Sequence, residues 1–196
     1  MTIQVYGDSI SGNCLKVKWT LDYLDIPYQW IETDILQGES RTPHFLAMNP
    51  AGQVPTIVLS DGRPLGQSNA IISHLAEGSA LIPADPYARA KMMEWLFWEQ
   101  YSHEPYVAVA RFQVAYLGKD PAELDPKLVE RAYGALQRLE DALSAGVFLV
   151  GADCTLADVA LVAYTRLAHE GGLDLARYPA VKAWVARVEA ALNITD

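Results

Sequence analysis

The apolar residues of this chain alternate between strand and helix periods up to residue 78, then keep helical spacing almost to the end. That single change of pattern predicts two structural halves of different class. In the first half, Ile3, Val5 and Tyr6 form a short β-prone run that stops at Gly7-Asp8. Cys14, Val17, Leu21 and Leu24 then fall on one helical stripe, which Asp25-Ile26-Pro27 ends. Tyr28–Glu32 reads as a second strand, a short helix follows around Pro43–Met48, and Thr56–Leu59 reads as a third strand. Asp61-Gly62 is a two-residue hairpin signal, with Arg63–Leu65 returning as an edge strand. Ser68 is placed to cap a helix carrying Ile71, Ile72 and Leu75. The order is βαβ, a short helix, then ββα.

Residues 80–87, with Pro83 and Pro86, read as a linker between a domain at 1–79 and a helical domain at 88–196. A long helix is expected from Pro86 towards Gly118, bent at Pro105. Met92, Met93, Trp95, Leu96, Phe97 and Trp98 crowd it on every side, which predicts burial between neighbours and allows a subunit interface. Further helices are expected near 124–145, near 155–169 and from Pro179 onward. Thr155-Leu156-Ala157-Asp158 has capping-box spacing, so Asp158 reads as structural rather than catalytic.

The net charge of −9 lacks the basic footprint of a nucleic-acid or anionic-membrane binder. Two cysteines, Cys14 and Cys154, cannot build a disulfide framework or a zinc site, so no metal is expected. The start lacks a leader pattern, and no run approaches the ~18 apolar residues of a membrane span. The cytoplasm is therefore the expected compartment.

Four local patterns carry chemistry or fold information: Ser11-Gly12-Asn13-Cys14, Asn49-Pro50-Ala51-Gly52-Gln53-Val54-Pro55, Gln67-Ser68-Asn69-Ala70-Ile71, and Gly151-Ala152-Asp153-Cys154-Thr155-Leu156-Ala157-Asp158. In this order and at these separations the chain resembles the glutathione S-transferase family over nearly its whole length. The likeness is to serine/asparagine-type members, related to the theta, zeta and nu groups. It implies a thioredoxin-like first domain, an all-helical second domain, glutathione as co-substrate and a homodimer.

By that resemblance the Val54–Pro55 bond is cis, and the Val54 backbone pairs with the cysteinyl unit of glutathione. Ser68, at a helix N-terminus, holds the γ-glutamyl carboxylate, as free N–H groups there favour an anion. Gln67, where many relatives have an acid, accepts from the γ-glutamyl ammonium. Gln53 bonds the peptide backbone, and Arg41, with His44 as runner-up, meets the glycyl carboxylate. Ser11 matches the thiolate-stabilising serine, and Asn13 the asparagine that related subgroups use. The assignment between them is divided. Tyr6 is a weaker candidate, set by strand alternation. Cys14 mimics the second position of C-x-x-C, but serine stands at the first, so a dithiol mechanism is excluded and Cys14 reads as a small buried apolar group.

A small hydrophobic electrophile is expected between the halves, near His103, Tyr106, Arg111, Phe112 and Tyr164. Ser102-His103-Glu104-Pro105 resembles a segment of a bacterial subgroup, although His103 reads equally well as an exposed residue. The resemblance implies a transferase with a detoxifying role. The alternatives are glutathione-dependent disulfide or peroxide reduction, and a non-enzymatic protein-docking module.

Overall fold

In a computed structural model, which describes residues 2–195, the chain divides into two compact units after Ser79. The first is built on a four-stranded sheet of order β2-β1-β3-β4. β1 (Ile3–Gly7) pairs parallel to β2 (Tyr28–Glu32), and a parallel pair requires a crossover. α1 (Gly12–Tyr23) supplies it. β3 (Thr56–Val58) runs antiparallel to β1, and β4 (Pro64–Gly66) antiparallel to β3. The β3–β4 link spans residues 59–63 and closes through Leu59 N–H to Arg63 O, so the hairpin is longer than the two-residue turn that Asp61-Gly62 predicts.

Strand alternation places Val5 and Gly7 on one face and Tyr6 on the other. A Cβ at Gly7 would lie 2.6 Å from the Trp30 ring and 3.3 Å from Cys14 Cβ, so glycine lets α1 close onto the strand. α3 (Ser68–Leu75) packs beside α1 with Ile71 and Ile72 fully buried. On the opposite face, the Tyr6 ring meets Phe45 of α2 (Pro43–Met48) edge-on at 6.1 Å.

The second unit is helical. Residues 80–87 are not a loose linker: Leu81 is fully buried, Ile82 is 8% exposed, and Leu81 O accepts from Leu156 N–H. Asp85 then caps α4 (Pro86–Trp98) through its carboxylate on Ala88 N–H. The expected bend at Pro105 is taken up otherwise. A wide π-helical turn, Glu99–His103, absorbs the irregularity before α5 (Glu104–Arg111), and a second one, Phe112–Tyr116, follows.

α6 (Pro126–Leu143) and α8 (Pro179–Ala191) each bury one stripe, Leu136, Leu139 and Leu143 against Val181, Trp184 and Val188. Each fully buried leucine contributes about 1.5–3 kcal/mol. The helix surrounded on all sides is α7 (Leu156–Thr165), all of whose residues are buried. The aromatic stretch of α4 buries Met92, Trp95 and Leu96 but leaves Phe97 69% exposed, so it is not sandwiched as its composition predicts.

α7 begins at the capping box. Thr155 N–H and Oγ1 donate to Asp158 Oδ2 at 2.9 and 3.0 Å, while Leu149 N–H and Trp184 Nε1 donate to Oδ1 at 3.0 and 2.8 Å. Burial pushes the Asp158 carboxyl up, against these donors that pull it down. Removing the carboxylate would strand its donors in the core, which costs on the order of 3 kcal/mol. Asp158→Ala should therefore lower the unfolding free energy by about that amount in urea denaturation followed by tryptophan fluorescence. A loss below ~1 kcal/mol would place the anchor of α7 elsewhere.

Candidate glutathione site and the helical half

β1 ends at Gly7, and residues 8–11 turn the chain into α1. Ser11 precedes the first helical residue with φ −80° and ψ 121°, but its side chain does not cap the helix. Its hydroxyl lies in hydrogen-bonding range of the Cys14 thiol instead. Asp8, beside it, is buried, and burial holds its carboxyl above the usual range.

Asn13 sits in the first turn of α1. Its Oδ1 accepts from Lys16 Nζ at 2.7 Å and from Ser68 Oγ at 3.0 Å. The second bond ties the start of α1 to the start of α3. Ser68 therefore opens α3 without capping it: the capping position is taken by Gln67, and the hydroxyl goes to Asn13. Gln67 has φ 69° and ψ 110°, a conformation seldom taken by a residue with a Cβ, and strain of this kind concentrates at functional sites.

From Gln67 the chain of contacts continues. Its Nε2 reaches Gln53 Oε1 at 3.4 Å. Gln53 leads into Val54–Pro55, whose peptide bond is cis. The Val54 N–H and C=O take no hydrogen bond among the described residues. Arg41 Nη1 donates to Ala51 O at 3.1 Å and lies across Gly52, where a Cβ would stand 2.5 Å from it. Arg41, Gln53, Val54, Gln67, Ser68 and Asn13 thus form one contiguous group, with Ser11 two residues before Asn13 in the chain. His44 has its ring 6.3 Å from that of Tyr6. Tyr6 itself faces α2 rather than α1, which removes it from contention as a donor beside Ser11.

Sequence reasoning missed Lys16. It is fully buried, yet it lies between Leu15 and Val17 in a segment that also holds the exposed-looking Lys18. The only signal was its i+3 spacing from Asn13, which places both on one helix face.

In the helical unit the expected pocket residues separate. His103 is completely buried, with Nε2 2.9 Å from Thr165 Oγ1, so it is neither exposed nor placed on an open pocket wall. Arg111 is 7% exposed and donates through Nε to Glu170 Oε2 at 2.6 Å, an ion pair inside the unit. Tyr164 is also 7% exposed, within α7. Phe112 stacks on Tyr116 at 5.1 Å. Tyr106 lines an open groove of about 630 Å³, with Trp98, Ser102, Arg131 and Arg138, and its hydroxyl accepts from Arg131 Nη1 at 2.7 Å. The other four were expected at the substrate because they are polar or aromatic residues on the long helix and on a helix facing it; His103, Arg111 and Tyr164 are buried, and Phe112 is half-buried.

No group of His, Cys, Asp and Glu placed to hold a metal occurs among the described residues. Nor is any of their helices long and apolar enough to cross a membrane.

Two family models match: the glutathione S-transferase N-terminal domain over residues 10–77 and the C-terminal domain over residues 91–191. The crystal structure of a glutathione S-transferase from Pseudomonas fluorescens Pf-5 superposes with a TM-score of 0.94 at 47% identity, covering 97% of this chain and 96% of that one. Glutathione S-transferase 3 of Zea mays is 32% identical over 200 residues, covering 96% of this chain and 89% of the relative. A disulfide-bond oxidoreductase of Escherichia coli, YfcG, is 28% identical over 186 residues, covering 89% and 85%.

Neither cysteine has the exposure or low pKa of a reactive thiol. Cys14 is fully buried and its thiol is pushed up to about 12 by burial. Cys154 is pushed up as well, by burial and by the Asp158 charge. A chromogenic disulfide reagent at neutral pH should find no rapidly reacting thiol in the native protein and two after denaturation. A fast native equivalent would return a protein thiol to the candidate nucleophiles.

Proposed function

This chain belongs to the glutathione S-transferase family and is an enzyme of that family, and on this premise we propose that its first unit binds glutathione along the group running from Arg41 to Asn13. The observation that carries the proposal is the Asn13–Ser68 hydrogen bond, which brings the candidate thiolate donor and the candidate carboxylate site to one place. The γ-glutamyl carboxylate sits on the first turn of α3, where the Ser68 N–H and hydroxyl meet it with the favourable end of the helix dipole. Gln67 accepts from the ammonium. The unpaired Val54 N–H and C=O bond the cysteinyl unit in the manner of an added strand. Gln53 bonds the peptide backbone, and Arg41 meets the glycyl carboxylate.

The sulfur then lies at the start of α1. A thiol is mostly protonated at neutral pH, so a donor must favour its anion. Lys16 and Ser68 both donate to Asn13 Oδ1, and the Nδ2–H₂ arm of the amide is the one that gives hydrogen bonds. The Ser11 hydroxyl already lies against Cys14. This geometry favours Asn13 as the principal donor with Ser11 beside it. The thiolate attacks a small hydrophobic electrophile, in a cytoplasmic, detoxifying role.

The protein acts as a homodimer. In support, Phe97 at the end of α4 is 69% exposed and Tyr101 in the wide turn after it 83%, about one turn apart, where a monomer would gain by covering them.

A second reading, glutathione-dependent disulfide reduction, is favoured by the name of the Escherichia coli relative. Calorimetric titration with reduced and oxidised glutathione separates the two: saturable preference for the reduced form supports transfer, preference for the oxidised form supports reduction, and no binding of either defeats both. With binding in hand, Asn13→Ala should raise the pKa of the bound thiol by about one unit, a tenfold loss of thiolate at neutral pH. Ser68→Ala should chiefly weaken binding, by about tenfold for one charge-assisted bond. An unchanged titration in Asn13→Ala, with a shift in Ser11→Ala, would move the donor role to Ser11.

A further inference from the structure

A fully buried lysine is rare, because its ammonium loses water that only well-placed partners can replace. Lys16 is 0% exposed, and it directs Nζ to Asn13 Oδ1 at 2.7 Å, a short charge-assisted bond. We propose that Lys16 is a positioning residue, which holds the Asn13 carboxamide with its Nδ2–H₂ arm turned to the glutathione sulfur. The inference rests on the glutathione site proposed above and names a part of it that the sequence patterns did not.

Two features make the lysine necessary. The first is competition for Ser68. In the structure its hydroxyl donates to Asn13 Oδ1 at 3.0 Å, and that is the hydroxyl a γ-glutamyl carboxylate would draw to itself. A hydroxyl has one proton to give. When the ligand takes it, Lys16 still donates to Oδ1 and resists the amide's turning over. The second is local charge. Asp8 and Glu32 both act on the nearby Cys14 in the sense that disfavours a negative sulfur. A glutathione thiolate at the same helix start meets that opposition too. An ammonium on the far arm of the amide polarises it and strengthens its N–H donors, because hydrogen bonds in series reinforce one another.

The test is a pH titration of the thiolate absorbance of glutathione bound to Lys16→Met, to Asn13→Ala and to the double variant. Lys16→Met should raise the bound thiol's pKa by about one unit and lower kcat about tenfold. The glutathione Kd should change less than about threefold, because no ligand atom is lost. Lys16→Arg, which keeps a charged donor, should recover part of the shift. In the Asn13→Ala background, Lys16→Met should add little, because the effect passes through that amide. An unchanged titration in folded Lys16→Met overturns the proposal, and so does full additivity with Asn13→Ala. Should Lys16→Met fail to fold, Lys16→Gln takes its place with the same expected rise and the same overturning result. Calorimetry on the unaltered protein keeps the two levels apart: no glutathione binding defeats the site itself, whereas binding with an unmoved thiolate defeats only the role of Lys16.

Discussion

One amide oxygen joins the two helices on which the proposed site is built. α1 and α3 lie side by side on the face of the sheet that carries Val5 and Gly7, and Asn13 Oδ1 receives a donor from each. A helix start exposes N–H groups that its own turns cannot satisfy, and it carries the positive end of the helix dipole. Bringing two such starts together makes a region that favours negative charge before any ligand arrives. The backbone strain at Gln67 fits this arrangement. A residue held at φ 69° costs about 1–3 kcal/mol and persists only where its surroundings fix it. Here the chain must leave β4 at Gly66 and enter α3 at Ser68 with a single residue between them.

The second unit solves a different problem with the same means. Its core holds Asp158, His103, Thr165 and Arg111, all buried. Each reaches a partner: Asp158 the start of α7 and Trp184, His103 the Thr165 hydroxyl, Arg111 the Glu170 carboxylate. Buried polar groups without partners would cost more than the apolar packing around them returns. These residues therefore fix how the helices pack. The wide turn at Glu99–His103 belongs to that scheme, since it ends on the histidine that points into the core and precedes the proline that cannot donate a backbone N–H.

The strands, α2 and the helical stripes were legible because their signals are local. Pro43–Met48 follows a threonine cap and a proline at its first turn, and α6 repeats its leucines at helical spacing. What was not legible depends on pairs far apart. The Asn13–Ser68 bond joins residues 55 positions apart, and no period in either segment announces it. Lys16 was hidden for a related reason. Its neighbours Cys14, Val17 and Leu21 mark one apolar stripe, and a lysine beside it reads as solvated. But α1 packs against both the sheet and α3, so its buried surface is wider than that stripe and takes in Lys16 and Thr20. His103 and Arg111 were misread in the opposite sense: a polar residue on a long helix looks available, and only the packing of α7 and the segment near Glu170 shows that it is used.

The overall charge of −9 and the proposed anionic ligand are reconciled by where the cations sit. Arg41 is exposed, and salt screens an exposed charge within a Debye length of ~8–10 Å. Lys16 is buried, so its field acts through protein rather than water and salt weakens it much less. On the proposed site, Arg41 serves mainly capture of the ligand, and its contribution falls as ionic strength rises. Lys16 and Asn13 serve the ionisation of the sulfur, and theirs falls much less. Binding and thiolate formation would then respond differently to salt although they share one small region. That separation follows from burial, because both cations carry the same net charge and one is exposed while the other is enclosed.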